Sequence, residues 1–379
     1  MIRGALRYAR KAPQIARYAA ADPVEIWLRL RAKFIEQRER RRPPCLYEVD
    51  ADWERRLHEN LGAPWSCQAT AEFWALWRLV IGSLEAKGFR VGVGTFGGFN
   101  DGEPELLRAI WCLTRHLLPA HVVETGVARG VTSRFILEAL ERNGAGHLWS
   151  IDQPPPLDPE LNEEVGAAVD DRCRGRWTYI RGTSRRHLAR LLASLGQIDL
   201  FVHDSIHTEY NTRFELERAW TILRPGGAMV ADDIDLNWGF CSFAETFSDH
   251  PTLICCAEPL QRDLSRFEGK GLFGIVRKNA AESVPARSSS LGGDRSSDFL
   301  PHRVHSTWCS TRAGESASPP SGGDRSEING PNGFKAPSEK TDHIFYLRAR
   351  ARGKSQQIRQ FCAGGDFVNY TNPLILFDT

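Results

Sequence analysis

The sequence predicts an α/β fold: a doubly wound, mostly parallel seven-stranded sheet covered by helices on both faces. Three observations predict it. From Glu103 to Asn279, short apolar runs alternate with longer stretches of helical period. Several of those runs end in an acid, at Glu124, Asp152 and Asp232-Asp233, and Asp204 follows another by one residue. The composition, 41% hydrophobic and 25% charged over 379 residues, is that of a globular chain.

Residues 1–102 read as a helical N-terminal cap region. Asp22-Pro23-Val24-Glu25 is a helix start, with an Asp cap, Pro at the first position and Glu three after the cap. Ile26, Trp27, Leu30 and Phe34 follow as an apolar stripe, and Arg40-Arg41-Arg42-Pro43-Pro44 ends the helix. The first 42 residues hold 12 Lys/Arg against four acids, while the whole chain is only +2. The helix therefore either docks on an acidic membrane surface or packs, basic side out, on the rest of the chain or on a dimer partner. The remainder is net acidic, which points away from nucleic acid as a partner. From about Thr70 to Lys87, Phe73, Trp74, Leu76, Trp77, Val80, Ile81 and Leu84 circle a second helix, predicting burial or the contact face of a homo-oligomer. Gly92, Gly94, Gly97, Gly98 and Gly102 fit no phosphate-binding spacing and read as a hinge or lid.

Residues 103–279 are the expected sheet domain. Helix 104–118 precedes strand 121–124, and helix 132–142 leads to strand 147–152. Strand 177–181 is followed by a helix carrying Leu188, Leu191, Leu192 and Leu195. Strand 198–203, helix 209–223, a turn at Arg224-Pro225-Gly226-Gly227 and strand 228–231 come next. After a further helix, strands 252–256 and 272–277 close the pattern. Residues 280–379 are rich in Ser, Gly, Pro and Arg, repeat Gly-Gly-Asp-Arg-Ser, and are expected to be largely disordered.

No run approaches the ~20 apolar residues of a membrane span. The Arg-interrupted start is no secretory signal, although an organelle transit peptide shares its composition. The nine cysteines include no C-x-x-C pair, so spacing suggests neither a zinc knuckle nor a disulfide framework. A cytoplasmic location is the expectation.

The chemistry concentrates where strands end. In Glu124-Thr125-Gly126-Val127-Ala128-Arg129-Gly130-Val131-Thr132-Ser133 a strand ends in an acid, turns through glycines and opens a helix. A nicotinamide-binding turn needs glycine where Ala128 and Val131 stand. An acid before the first glycine suits a cationic ligand such as S-adenosylmethionine, with Gly126, Gly130 and Ser133 beside it. Asp152 sits where a ribose-binding acid belongs. Thr183 and Ser184 flank the same edge, where Ser184 serves equally as a helix cap. Asp204, Asp232 and Asp233 would repel unless a cation neutralised them, and hard oxygen donors suit Mg²⁺. His207, three residues past Asp204, can face the same pocket as a base. His203 lies on the opposite strand face and reads as structural.

The blocks ETGVARGVTS, IDLFVHDSIHTEY and LRPGGAMVADDID resemble the metal-dependent class I O-methyltransferases, in the branch acting on macrolide sugars and rhamnosyl groups. The resemblance spans roughly 103–279 and implies the Rossmann-like methyltransferase fold. It departs from the family pattern at Ala128 and Ser205, both glycine positions there. It implies S-adenosylmethionine at Glu124, Gly126 and Asp152, a metal at Asp204, Asp232 and Asp233, His207 as general base, and a small-molecule or glycan hydroxyl as acceptor. A metal-independent methyltransferase on another acceptor and a catalytically silent cofactor-binding module are the alternatives.

Overall fold

The structure, a computed structural model, describes residues 13–43, 45–154, 158–256 and 271–280. The tail expected to be disordered and the Arg-rich opening lie outside the described residues. Seven strands form one sheet in the order β3-β2-β1-β4-β5-β7-β6. They are β1 (His121–Thr125), β2 (His147–Asp152), β3 (Trp177–Arg181), β4 (Ile198–His203), β5 (Leu223–Ala231), β6 (Thr252–Cys256) and β7 (Leu272–Arg277). The first five pair in parallel, and β7 runs antiparallel between β5 and β6. This is the doubly wound sheet the sequence predicts.

Alternation along the strands sorts the helices. Val122, Leu148, Leu200, Val202 and Val230 face α2 (Trp53–Leu61), α4 (Pro104–Leu117) and α5 (Val131–Asn143) through Leu57, Ile110, Ile136 and Leu140. Val123, Phe201, Met229 and Val276 face α7 (Ser184–Leu195), α8 (Glu209–Ile222) and α9 (Gly239–Thr246). The aromatic helix α3 (Gln68–Ala86) makes a further layer, packing Phe73, Trp77 and Val80 on Trp111 of α4 and Phe135 of α5. Most of its apolar residues are thus buried within the chain, while Leu79 stays exposed.

Two expectations need correction. Arg224-Pro225-Gly226-Gly227 is part of β5 rather than a turn before it. A register irregularity against β4 absorbs the extra residues, and Arg224 is held by Asp199 at 2.5 Å. The N-terminal helix α1 (Pro23–Glu39) keeps its Asp22 cap and buries Ile26, but Trp27, Leu30 and Phe34 are exposed. Its contact with the sheet domain is instead polar. Among the described residues no helix is long and apolar enough to cross a membrane.

Candidate active site

Parallel strands bring the carboxyl ends of β1, β2, β4 and β5 to one edge, and the motif residues follow. Glu124 shares the strand face of Val122, so it points under the first turn of α5. There its Oε2 accepts hydrogen bonds from Ser133 Oγ and Ser150 Oγ, both 2.6 Å, while Oε1 is buried with no partner among the described residues. Burial pushes the Glu124 carboxyl up to about 8, against the pull of the two serines. Ser133 therefore acts on Glu124. The two motif glycines also have reasons inside the chain. A Cβ on Gly126, at φ +90°, would stand 1.8 Å from the Asp204 carbonyl oxygen, and one on Gly130 3.0 Å from Gly166 Cα. Ala128, where the family pattern has glycine, adopts a left-handed φ of +48°.

Arg129 latches this turn. Its guanidinium, almost wholly buried, donates to Asp101 at 2.9 Å, to Glu164 at 2.7 Å and to the carbonyls of Arg90 and Thr95. The glycine-rich loop, expected as a hinge or lid, is fastened at Asp101 to the β1–α5 turn.

Asp152, ending β2, accepts from the backbone N–H of Gln153 at 2.7 Å and of Ala128 at 3.3 Å. Burial raises it to about 6 despite both bonds. Thr183 and Ser184 sit at the same edge but are engaged within the chain. Glu25 of α1 accepts from Thr183 N–H and Oγ, each at 3.1 Å, and Ser184 Oγ donates to Asn211 at 3.5 Å. Arg29 reaches the carbonyls of Gln153 and Pro154, and Glu39 accepts from the N–H groups of Glu209 and Tyr210. Two acids of α1 thus cap the amino ends of α7 and α8, where helix dipoles favour negative charge. These contacts were not legible in the sequence, which showed α1 only as basic.

At the ends of β4 and β5 the acids meet His207. His207 Nδ1 lies 2.6 Å from Asp233 Oδ2. Because a carboxylate accepts, Nδ1 carries the hydrogen. Nε2 lies 3.6 Å from Asp204 Oδ1, beyond hydrogen-bond reach, and is buried without a partner among the described residues. Burial alone would lower His207, but Asp233 and Asp204 raise it well above its ordinary value. Asp233 sits at φ +50°, a strained turn that aims its carboxylate at the ring. Asp232 is buried with Oδ1 unpartnered among the described residues, and burial, then Glu103, Asp233 and Asp204, push it well up.

Glu103 is the fourth carboxylate, and sequence reasoning missed it. It precedes Pro104 as the residue before α4, held by Asn100 at 3.3 Å, with Oε2 buried and unpartnered among the described residues. Burial raises it well above the usual carboxylate range, helped by Asp233 and Asp204. Its only local signal was an acid at a helix start. Together Glu103, Asp204, Asp232 and Asp233 offer the oxygen donors of a hard divalent cation.

His203 is structural, as expected from its strand face. It lies 2.6 Å from Glu215 Oε2 and 3.0 Å from Thr212 Oγ1. Glu215 also accepts from Thr125, Ser205 and Asn211. Burial would raise Glu215, yet His203 and the other donors hold it down at about 2. Ser205, where the family pattern has glycine, anchors this network.

The stretch from β1 to the start of the helical turn after β5 carries the likeness to known proteins. Residues 123–234 match the family model described as a methyltransferase domain. The match runs through Glu124, Asp152, Asp204, His207, Asp232 and Asp233 and leaves Glu103 outside it. No curated protein matches the chain. Among solved structures, the chain is similar to a Klebsiella pneumoniae protein proposed to be an O-methyltransferase, at 16% identity and a TM-score of 0.39, covering 60% of this chain and 96% of that one. It is similar to an O-methyltransferase of Bacillus cereus in complex with SAH, at 12% identity and 0.38, covering 60% and 97%. The O-methyltransferase TomG of Streptomyces achromogenes, involved in tomaymycin synthesis and in complex with SAM, matches at 13% and 0.38, covering 57% and 91%.

Proposed function

We propose that the chain is an S-adenosylmethionine-dependent O-methyltransferase that uses a divalent cation, Mg²⁺ by donor chemistry, to methylate a hydroxyl of a small molecule or glycan. The observation that carries the reading is the pairing of His207 with Asp233 and Asp204 at the sheet edge of the Glu124 turn, with buried Glu103 and Asp232 close enough to add to the negative charge there.

The residues fit both groups. Glu124 Oε1 is a buried acceptor with nothing to accept from, at the turn where a cationic ligand would sit. Asp152 spends one lone pair on each backbone N–H and keeps others for ribose hydroxyls. Asp232 Oδ1 and Glu103 Oε2 are buried without a partner among the described residues, and neighbouring acids raise both carboxyls, a repulsion a cation would remove. Such a methyl donor supplies an electrophilic sulfonium methyl, and a divalent cation lowers the pKa of a hydroxyl beside it.

The chain's own part is proton transfer and positioning. Asp233 fixes the imidazole with its hydrogen on Nδ1, and a cation held by the acids would offset the rise that Asp233 and Asp204 cause in His207, freeing Nε2 to take a hydroxyl proton. Asp204, 3.6 Å away, stabilises the imidazolium that forms. Holding acceptor and donor at one rigid strand edge supplies the alignment on which much of the acceleration rests.

Calorimetric titration of S-adenosylmethionine into the full chain, with and without Mg²⁺, tests the reading, followed by turnover of labelled donor on hydroxylated sugars. Micromolar binding is expected. His207→Ala and Asp232→Asn should retain binding and lose turnover. Absence of cofactor binding removes the reading; turnover unaffected by a chelator removes the metal and leaves the methyl transfer.

A further inference from the structure

A second cluster of ligating side chains lies outside the candidate active site. Helix α4 begins beside the acids at Glu103 but carries Cys112 and His116 about 14–20 Å further along its axis. Being four apart, these two project from one helix face. Opposite them stand His58, on α2, and Cys67, the residue that caps α3. One ligand atom each from His58, Cys67 and Cys112 lies within 4.8 Å of the others, and all three residues are buried.

The distances suit a tetrahedron. His58 Nε2 is 3.1 Å from Cys67 Sγ, and His116 Nε2 is 3.3 Å from the same sulfur. A tetrahedral zinc bound by sulfur at ~2.3 Å and nitrogen at ~2.0–2.1 Å has a nitrogen–sulfur edge of about 3.6 Å. Along these two edges a central ion requires shifts of only a few tenths of an ångström, whereas His116, which lies outside the close group of three, has to swing further to complete the set of four. Outer contacts are also in place. His58 Nδ1 lies 2.7 Å from the Glu54 carbonyl oxygen, which can only accept. Nδ1 therefore bears the hydrogen, and Nε2 presents its lone pair toward the cluster, as the ring of a metal ligand does. Thr70 Oγ1 sits 3.5 Å from Cys67 Sγ and 3.6 Å from Cys112 Sγ, a hydroxyl shared by both sulfurs.

We propose that His58, Cys67, Cys112 and His116 form a structural zinc site joining α2, the amino end of α3 and α4. The donor set of two sulfurs and two imidazole nitrogens is that of closed, four-coordinate zinc, with no position left for a substrate. A disulfide between the two cysteines would leave both imidazoles without a role; both cysteines are free thiols here.

The test uses the full chain, expressed with zinc in the medium and purified in reductant without chelator. Mass-spectrometric metal analysis should find about one zinc per chain, retained in Asp232→Asn and lost in Cys112→Ser. His116→Gln, at the half-exposed ligand, should weaken zinc retention and guards against a Cys112 variant that fails to fold. Cobalt added to the stripped wild type should give a thiolate charge-transfer band and intense tetrahedral visible bands. Zinc at background with no cobalt–thiolate band overturns the proposal. So does zinc retained in folded Cys112→Ser, or a wild-type mass lower by the two hydrogens of a Cys67–Cys112 disulfide.

Discussion

Glu124 gives a prediction that can be worked from the structure alone. Its carboxyl ordinarily loses its proton near 4.5, but burial against β2 and α5 raises it to about 8. Between those values the folded chain holds a proton that the unfolded chain has released. Stability therefore falls as pH rises across the window; it is fullest below about 4.5 and the loss is complete above about 8. Each pH unit inside the window is worth about 1.4 kcal/mol, so this one group removes roughly 3–4 kcal/mol between about pH 5 and 8. Glu124→Gln removes the titration while an amide oxygen still accepts from Ser133 and Ser150. Its new NH₂ group meets no acceptor, so the variant starts less stable at low pH. Urea unfolding of both proteins across that range should show wild-type stability losing roughly 3–4 kcal/mol relative to the variant. Parallel pH profiles would refute the reasoning. If a cationic cofactor binds beside Oε1, it favours the carboxylate, so binding releases a proton and tightens as pH rises toward about 8. Calorimetry in two buffers of different ionisation enthalpy counts that proton.

Gly126→Ala should be among the most damaging single methyl additions in the chain, because the new Cβ would lie 1.8 Å from the Asp204 carbonyl oxygen. A loss above ~3 kcal/mol is expected, against about 1–2 kcal/mol for Gly144→Ala, where φ is +73° and the space is open; comparable melting temperatures would contradict the steric account. Glu25→Ala strands Thr183 N–H and Oγ and leaves Arg29 only its carbonyl contacts, so trypsin should cut α1 faster while the urea midpoint of the sheet domain moves less. Equal trypsin sensitivity in both proteins would show that α1 is held by other contacts.

What the sequence revealed follows from separation along the chain. Strands β2, β3, β4, β6 and β7 were legible to the residue because each is a short apolar run bounded by polar or turn residues, whether buried on both faces like β4 or only partly buried like the edge strands β3 and β6. The site acids were legible for a related reason. In a parallel sheet every carboxyl end falls on one edge, so a residue's place at the end of a run already states where it goes. That reasoning reaches Glu124, Asp152, Asp204, His207 and Asp232-Asp233. It fails for residues that arrive from elsewhere. Glu25 meets Thr183 across 158 positions, and Cys67 meets His116 across 49. Neither pair has a period or a spacing that could announce it. Glu103 is the informative case between these two. It stands next to a recognisable helix start, yet its importance comes from β4 and β5, whose acids it faces a hundred residues later. Its cost is plain: a buried carboxyl beside other acids is unfavourable by itself. A chain aiming only at stability would place an apolar residue there, as it does at Leu106 and Leu107 one turn on. The unfavourable placement is intelligible if the site's working state includes the positive charge that Glu103, Asp204, Asp232 and Asp233 together lack.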